Sequence, residues 1–303
     1  MTAGTVHTGA AAVASKGWTG AHKWLLARRA TQLSILLLFL LGPWLDIWVV
    51  KGNLSASLTL GVLPLTDPYL LLQTLFTRHV PELTAITGAL IVLAFYLLVG
   101  GRVFCAWVCP VNPVTDAAHW LRGRLGIRGG SRLQRNTRYW ILAMTLVLAL
   151  VTGSVAWEFI NPVSMLHRGL IFGMGFAWVI VLAVFLLDLF VSRRAWCGHL
   201  CPVGAFYSLL GRVTPLRVSA VARDECDDCM DCFAVCPEPQ VISPALKGAD
   251  KGIGPVILEP NCTNCGRCID VCARNVFVFA TRFHNKSGDP GRKLLSHKME
   301  VMS

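Results

Sequence analysis

Eight cysteines constrain this 303-residue chain more than any other feature. They read Cys226-x2-Cys229-x2-Cys232-x3-Cys236-Pro237 and, after a 25-residue spacer, Cys262-x2-Cys265-x2-Cys268-x3-Cys272. Zinc sites pair two Cys-x2-Cys units across a longer gap, and a tetrahedral ion has no use for a third cysteine at the same spacing. A disulfide framework fits worse, because thiols two residues apart are poorly placed to bridge one another. The remaining four of the 12 cysteines form two Cys-x3-Cys-Pro pairs, Cys105/Cys109 and Cys197/Cys201, so every cysteine belongs to a motif. That usage argues for a reducing compartment and metal chemistry.

The octet resembles two-cluster bacterial ferredoxins. That resemblance implies two [4Fe-4S] clusters, with three thiolates of each run on one cube and the fourth reaching across to the other. The first would be held by Cys226, Cys229, Cys232 and Cys272, the second by Cys262, Cys265, Cys268 and Cys236. Ala273 stands where a second proline would follow the last cysteine, which costs a turn constraint and no ligand. A cube takes up one electron with little rearrangement, so two linked cubes make a wire.

The rest of the chain is too apolar for an ordinary soluble protein. Hydrophobic residues make up 54 % and charged ones 15 %, and mean hydropathy is +0.56, so part of it must face lipid. Four apolar stretches predict transmembrane helices at about Leu33–Val50, Leu83–Gly100, Tyr139–Trp157 and Leu170–Val191. Arg28-Arg29 before the first stretch is not an export signal, since the stretch is long and ends in Gly42-Pro43-Trp44-Leu45-Asp46 without a small-x-small cleavage site. The net charge of +11 reports membrane orientation and anionic head groups rather than nucleic acid, because no basic helix is interleaved with stacking aromatics.

Arginine asymmetry sets the expected topology. Gly101 to Arg138 holds seven arginines against one acid, Asp116, whereas the two other loops hold only Lys51, Arg78 and Arg168. Arginine-rich short loops stay inside, so both termini and both cysteine pairs are expected in the cytoplasm of a bacterial inner-membrane protein. Trp44, Trp48, Trp140, Trp157 and Trp196 fall near span ends, where an amphipathic ring suits the interface. An internal repeat supports this layout. Arg102, Cys105, Cys109 and Pro110 recur as Arg194, Cys197, Cys201 and Pro202 at an offset of 92, and Thr66-Asp67-Pro68 rhymes with Ile160-Asn161-Pro162 at 94.

The expected fold class is therefore an α-helical membrane protein, a duplicated two-helix unit giving four transmembrane helices, plus a small C-terminal bacterial-ferredoxin-like 2[4Fe-4S] domain. Residues 1–32 read as a cytoplasmic N-terminal segment without apolar periodicity, 33–217 as the four-helix membrane domain, 218–283 as the two-cluster ferredoxin domain and 284–303 as a flexible basic tail. Residues 51–83, 110–138 and 158–169 read as loops, and Val203–Arg212 as a weakly amphipathic helix on the membrane face. Val276–Thr281 is β-prone and is expected to pair with Val256–Leu258.

A wire joined to a membrane bundle suggests quinol as the electron donor, and its oxidation needs a proton acceptor near an interface. The catalytic candidates are Asp46, Asp67, Glu158 and His167, with His79 a further outer-side group. Each also has a plain structural reading, and Asp67 before Pro68 is a good turn former. Asp188 lies in the fourth stretch, where it would pair with Arg193-Arg194. Thiols at i and i+4 share a helix face, so Cys105, Cys109, Cys197 and Cys201 could converge across a pseudo-twofold as an electron relay, as ligands of an additional metal, or as small buried residues. His199 has Trp107 as its counterpart, which argues against a ligand role.

The stretches Arg102-Val-Phe-Cys-Ala-Trp-Val-Cys-Pro-Val-Asn-Pro-Val-Thr-Asp116, Trp157-Glu-Phe-Ile-Asn-Pro-Val-Ser164, Trp196-Cys-Gly-His-Leu-Cys-Pro-Val-Gly-Ala205 and Cys229-Met-Asp-Cys-Phe-Ala-Val-Cys-Pro-Glu-Pro239 resemble the NapH family. These are membrane ferredoxin-type quinol dehydrogenase subunits of the periplasmic nitrate reductase system. The resemblance runs from about Trp18 to Phe283. It implies four spans, cytoplasmic [4Fe-4S] clusters, oxidation of ubiquinol or menaquinol from the membrane quinone pool, and electron delivery towards the periplasmic reductase. A periplasmic multi-cluster ferredoxin subunit and a membrane multihaem cytochrome are the implied partners. Two competing readings share the layout: a membrane polyferredoxin that reduces metal or thiols in the assembly of a redox enzyme, and a methylamine-utilisation relative.

Overall fold

A computed structural model describes residues 8–127, 129–131, 133–173, 175 and 177–283. The expected basic tail, 284–303, lies outside the described residues. The N-terminal segment is helical: α1 (Ala10–Ala21) leads through His22 into α2 (Lys23–Leu45). Its partner is the ferredoxin domain, because the Asp270 carboxylate accepts hydrogen bonds from the first N–H groups of α2, Trp24 (3.0 Å) and Leu25 (2.9 Å). These donors have no partner within the helix, so a carboxylate there stabilises it. A cap supplied from 246 positions away is invisible to periodicity, which is why the segment read as unstructured.

Residues 50–66 form a three-stranded antiparallel sheet, β1 (Val50–Gly52), β2 (Ala56–Thr59) and β3 (Leu63–Thr66), where a loop was expected. The short helix α3 (Pro68–Phe76) follows, and then α4 (Leu83–Val99). The arginine-rich stretch is also largely helical, as α5 (Val111–Arg124), and α6 (Thr137–Thr152) comes next. Helix α7 (Pro162–Phe172) takes most of the second expected outer loop, and α8 (Ala177–Leu186) runs into a π turn over Leu187–Val191. Left-handed Gly173 (φ 94°) separates α7 from α8, so the fourth stretch is interrupted rather than continuous from Leu170.

The first repeat unit thus holds α3, α4 and α5, and the second α7, α8 and α9 (Pro202–Leu210). The offset-94 rhyme is structural: Asp67 Oδ1 accepts from Tyr69 N (3.1 Å) and Asn161 Oδ1 from Val163 N (3.1 Å), each capping a helix that starts at proline. Helix α9 is buried along Pro202, Val203, Gly204, Ala205, Tyr207 and Ser208, inside the bundle and not on a membrane face.

The helical part is arranged inside out. Leu37 on α2, Leu90 and Phe95 on α4, Met144 and Val151 on α6, and Leu182 on α8 are exposed, while Gln32, Gln73, Thr145, His167 and Asp188 are buried. Exposed apolar faces of this kind mark contact with lipid or with another protein. Among the described residues one helix, ending at Leu45, is long and apolar enough to cross a membrane by length and composition, and Leu83–Val99, Thr137–Thr152 and Ala177–Val191 are shorter apolar helices. At 1.5 Å per residue, 17 residues reach about 26 Å against a hydrocarbon layer of roughly 30 Å. Trp44 and Trp140 are exposed as interfacial rings should be, but Trp157 is only 3 % exposed and belongs to the core.

The C-terminal domain is small. β4 (Leu216–Ser219) pairs antiparallel with β5 (Val278–Thr281), two residues before the expected boundary at 218, and Val256 makes only an isolated bridge to Ser219. The strand therefore takes β4, not Val256–Leu258, as its partner. Three short helices, α10 (Asp231–Val235), α11 (Ile242–Lys247) and α12 (Arg267–Val271), pack beneath. Val218, Ile242, Leu246, Ile257, Val276 and Phe277 form the core together with Cys232 and Cys268.

Candidate metal centre

Each cysteine run folds the same way, a short turn followed by a one-turn helix that ends at the fourth cysteine. The two runs face one another across α10 and α12 and leave two cavities of equal volume. Cys226, Cys229, Cys232 and Cys272 line one, and Cys236, Cys262, Cys265 and Cys268 line the other. The fourth cysteine of each run thus stands in the other run's cavity.

The surroundings of the two cavities differ. The first opens to solvent at exposed Cys229 and has Asp227 and Asp228 in its lining. In the second no cysteine is exposed, and Cys265 and Cys268 are buried. Burial pushes the Cys232 thiol up to about 12 and the Cys262 thiol up to about 11, so these groups become thiolates when a metal takes the proton's place. Burial would raise Cys265 as well, but the guanidinium groups of Arg267 and Arg28 outweigh it and hold that thiol below its ordinary value. Buried Arg28 Nη1 and Arg267 Nε have no hydrogen-bond partner. Two guanidinium groups beside the Cys265 sulfur, each with a buried N–H left without a partner, suit a cofactor that is anionic with its thiolate ligands, as a four-thiolate cube is. Bound there, such a cube supplies one-electron storage.

Two buried ion clusters seat this domain on the helices. Glu238, two residues after Cys236, accepts from Arg102 (2.8 Å) and Arg138 (3.0 Å) and also pairs with Arg135. Asp116 on α5 pairs with Arg194 (2.9 Å), Arg267 (2.7 Å) and Arg29. Despite burial, Arg194 and Arg267 hold the Asp116 carboxyl far below the usual carboxylate range. Trp107 Nε1 donates to the Asn264 carbonyl (3.1 Å). Three of the seven arginines that give the chain its charge asymmetry, Arg102, Arg135 and Arg138, are therefore part of the docking socket. Neither carboxylate stood out in the sequence as a site, although Asp116 is the lone acid among seven arginines.

The two Cys-x3-Cys-Pro segments fold alike, each as a π turn (Phe104–Val108 and Trp196–Leu200) followed by an extended cysteine and a helix. Extended backbone at Cys109 and Cys201 follows from the proline after each. The N–H groups of Val111 and Asn112 favour the thiolate form of Cys109, and those of Val203 and Gly204 that of Cys201. Cys105, Cys109, Cys197 and Cys201 all lie within electrostatic reach of one another and form no disulfide. The two pairs are thus neighbours. Arg102 lies within electrostatic reach of the Cys105 sulfur and donates to the Cys197 carbonyl (3.1 Å), to Glu238 (2.8 Å) and to the Asn261 carbonyl (2.9 Å) next to Cys262. One buried side chain thus links the backbone of the second cysteine pair to the second cavity.

The quinol-site candidates separate. Asp46 is exposed and accepts from Trp48 Nε1 (2.7 Å), and His79 is exposed beside the Thr77 carbonyl. Asp67 caps α3 and accepts from Tyr207 Oη (2.9 Å). His167 is buried edge-on against Phe39, and neither ring nitrogen has a partner. Glu158 accepts from Ser164 Oγ (2.7 Å), Asn161 Nδ2 (2.8 Å) and Ser55 Oγ (3.4 Å). Asp188 Oδ1 accepts from Trp196 N (2.9 Å), while Arg194 turns to Asp116 and Arg193 to the Ala234 carbonyl. The expected pairing of Asp188 with Arg193-Arg194 is replaced by this π-turn cap. Tyr207, at the meeting of α3, α4 and α9, was not singled out, since only the Asp67 contact marks it.

Eight cysteines around two linked cavities, docked by buried ion pairs on a helical unit, define a ferredoxin-type iron–sulfur electron-transfer protein. The family model described as "4Fe-4S binding domain" matches residues 82–128 and 174–219, the two repeat halves with their cysteine pairs. The model described as "4Fe-4S dicluster domain" matches residues 225–276. The chain is 55 % identical over 271 residues to the methylamine utilization ferredoxin-type protein MauN of Paracoccus denitrificans, covering 89 % of this chain and 95 % of that one. It is 52 % identical to MauN of Methylorubrum extorquens, covering 89 % and 93 %. To the ferredoxin-type protein NapH of Escherichia coli it is 45 % identical, covering 91 % and 95 %. The chain belongs to the ferredoxin-type family that contains NapH and MauN. No solved structure matches.

Proposed function

We propose that this protein is the quinol dehydrogenase component of an electron-transfer chain in the bacterial inner membrane. It is multi-pass, with the four apolar stretches crossing the bilayer and both termini and the ferredoxin domain in the cytoplasm. Electrons from ubiquinol or menaquinol enter the helical part, pass the four thiols and leave through two cubes. One cube would be held by Cys226, Cys229, Cys232 and Cys272, the other by Cys236, Cys262, Cys265 and Cys268. The observation that carries this reading is Arg102, which donates to the backbone carbonyl of Cys197 in the second cysteine pair and, on its other side, to Glu238 and the Asn261 carbonyl beside the second cavity. An electron that reaches this pair is then one side chain from the second cavity.

The NapH likeness supports delivery towards periplasmic nitrate reductase, through a multi-cluster ferredoxin subunit and a membrane multihaem cytochrome. Higher identity to the two MauN proteins favours a second reading of the destination, methylamine utilisation. The entry step is common to both. The test is anaerobic: decyl-quinol added to the purified holoprotein reduces the cubes, read by absorbance and EPR. Cubes that stay oxidised with quinol, yet are turned over by copper or a partner disulfide, would instead make the protein an assembly reductase.

A further inference from the structure

Beside α7 lies an open groove of about 640 Å³, bounded by the turn Ala156–Phe159, by α7 and by the start of α8. Small-molecule sites run from about 300 to 1,000 Å³. Its walls are apolar, with Phe159 and Phe172 72 % and 82 % exposed, so it opens onto the same surroundings as the outward faces of the helices. Its polar groups are few: Glu158, Ser164 and Arg168. Glu158 is held by Ser164, Asn161 and Ser55, all of which orient its carboxylate without neutralising it.

Directly behind Glu158 the chain leads inward. Trp157 stacks on Trp196, with ring centroids 6.2 Å apart and planes 15° from parallel. Trp196 precedes Cys197 of the four-thiol group. A proton acceptor therefore faces the groove while its chain neighbour, an aromatic bridge, faces the cysteine pairs. No other candidate carboxylate combines these features, since Asp67 is engaged as the cap of α3 and Asp46 is bonded to Trp48.

We propose that this groove seats the head group of a quinol, that Glu158 accepts its hydroxyl protons, and that the Trp157–Trp196 pair leads its electrons past the four cysteines, which stay reduced, towards the two cavities whose cubes would accept them. The proposal rests on the quinol reading above and locates it. Oxidation to the quinone breaks two O–H bonds. The two electrons would leave singly, one to each cube, and the two protons pass in turn to the Glu158 carboxylate and from it to bulk water. The apolar walls take the ring and the start of its tail.

The test has a binding readout and a rate readout. An azido-quinone photolabel on the wild-type holoprotein is expected on the peptide from Val155 to Gly173. Label confined to other segments overturns the proposal. Glu158→Gln keeps the hydrogen-bonding shape and loses the base, so quinol-driven reduction of the cubes should fall by about 100-fold, the usual scale for a general base, while dithionite reduces them fully. Reduction of Glu158→Gln by quinol at the wild-type rate also overturns it. A wild type that is labelled in the groove but not reduced by quinol refutes the electron-donor reading instead, so the two failures are distinguishable. Trp196→Leu should slow quinol-driven reduction and leave the labelling pattern unchanged.

Discussion

Replacing Glu238 by glutamine tests whether the arginine socket holds the ferredoxin domain in place. The Glu238 side chain is 3 % exposed and faces Arg102 and Arg138, which are 2 % and 0 % exposed. Glutamine keeps the shape but removes the charge and turns an NH2 group towards the guanidinium donors. Two buried cations are then left uncompensated, and breaking a buried pair from one side costs about 3 to 5 kcal/mol. At the lower bound that is roughly a 100-fold change in the docking equilibrium. The third partner, Arg135, is 40 % exposed, so Arg135→Ala should cost less than about 1 kcal/mol. The assay is anaerobic thermal unfolding of the detergent-solubilised holoprotein, followed by the cube absorbance, with Asp250→Asn as an exposed control. Pairing Glu238→Gln with Arg102→Met should recover part of the loss, because the double variant buries one fewer orphan charge. A Glu238→Gln protein that melts with the Arg135→Ala protein and the control would refute the argument.

Asp116 gives a pH test. Its carboxyl is held below the ordinary carboxylate range, so its contribution is complete above about pH 4, the ordinary value, and is lost only as pH falls through the lower folded value. The difference in melting temperature between wild type and Asp116→Asn should therefore be the same at pH 5.5 and pH 8, and a difference that shrinks within that range contradicts the ion cluster. If the four thiols act as a relay, Cys105→Ala leaves the iron and sulfide content unchanged and slows reduction by quinol but not by dithionite. Loss of iron in that variant would make the thiols ligands of an additional metal.

The ferredoxin domain was legible because its chemistry is local. The spacing, read through its resemblance to two-cluster ferredoxins, grouped the cysteines in two sets of four, and the same sets line the two cavities. The apolar stretches were legible as helices for the same reason, since a run of apolar residues is a local signal. What sequence reasoning missed is carried by contacts between distant segments. The short helices α3, α5, α7 and α9 read as loops or surface pieces because their polar residues point inward, against each other, where an ordinary amphipathic pattern expects apolar ones. Tyr207 of α9, which donates to Asp67 at the start of α3 (2.9 Å), is an example. Trp157 read as an interfacial anchor because periodicity cannot tell a ring that meets head groups from one stacked on Trp196.

The arginines bear on how such a protein can be duplicated and still remain asymmetric. Arg102 and Arg194 occupy equivalent positions in the two halves, each three residues before a cysteine pair. In the folded chain they have diverged: Arg102 meets Glu238 beside the second cavity, while Arg194 meets Asp116 on α5. A single ferredoxin domain cannot satisfy two symmetry-related sockets in the same way, so one arginine contacts the domain directly and the other is held by a carboxylate that also binds Arg267 of that domain. Arg102, Arg135 and Arg138, which the sequence offered as part of an orienting charge, are thus also the residues that meet Glu238 of the ferredoxin domain. On the function proposed above, a substitution among these three would loosen the docking of that domain together with any role they have in orientation.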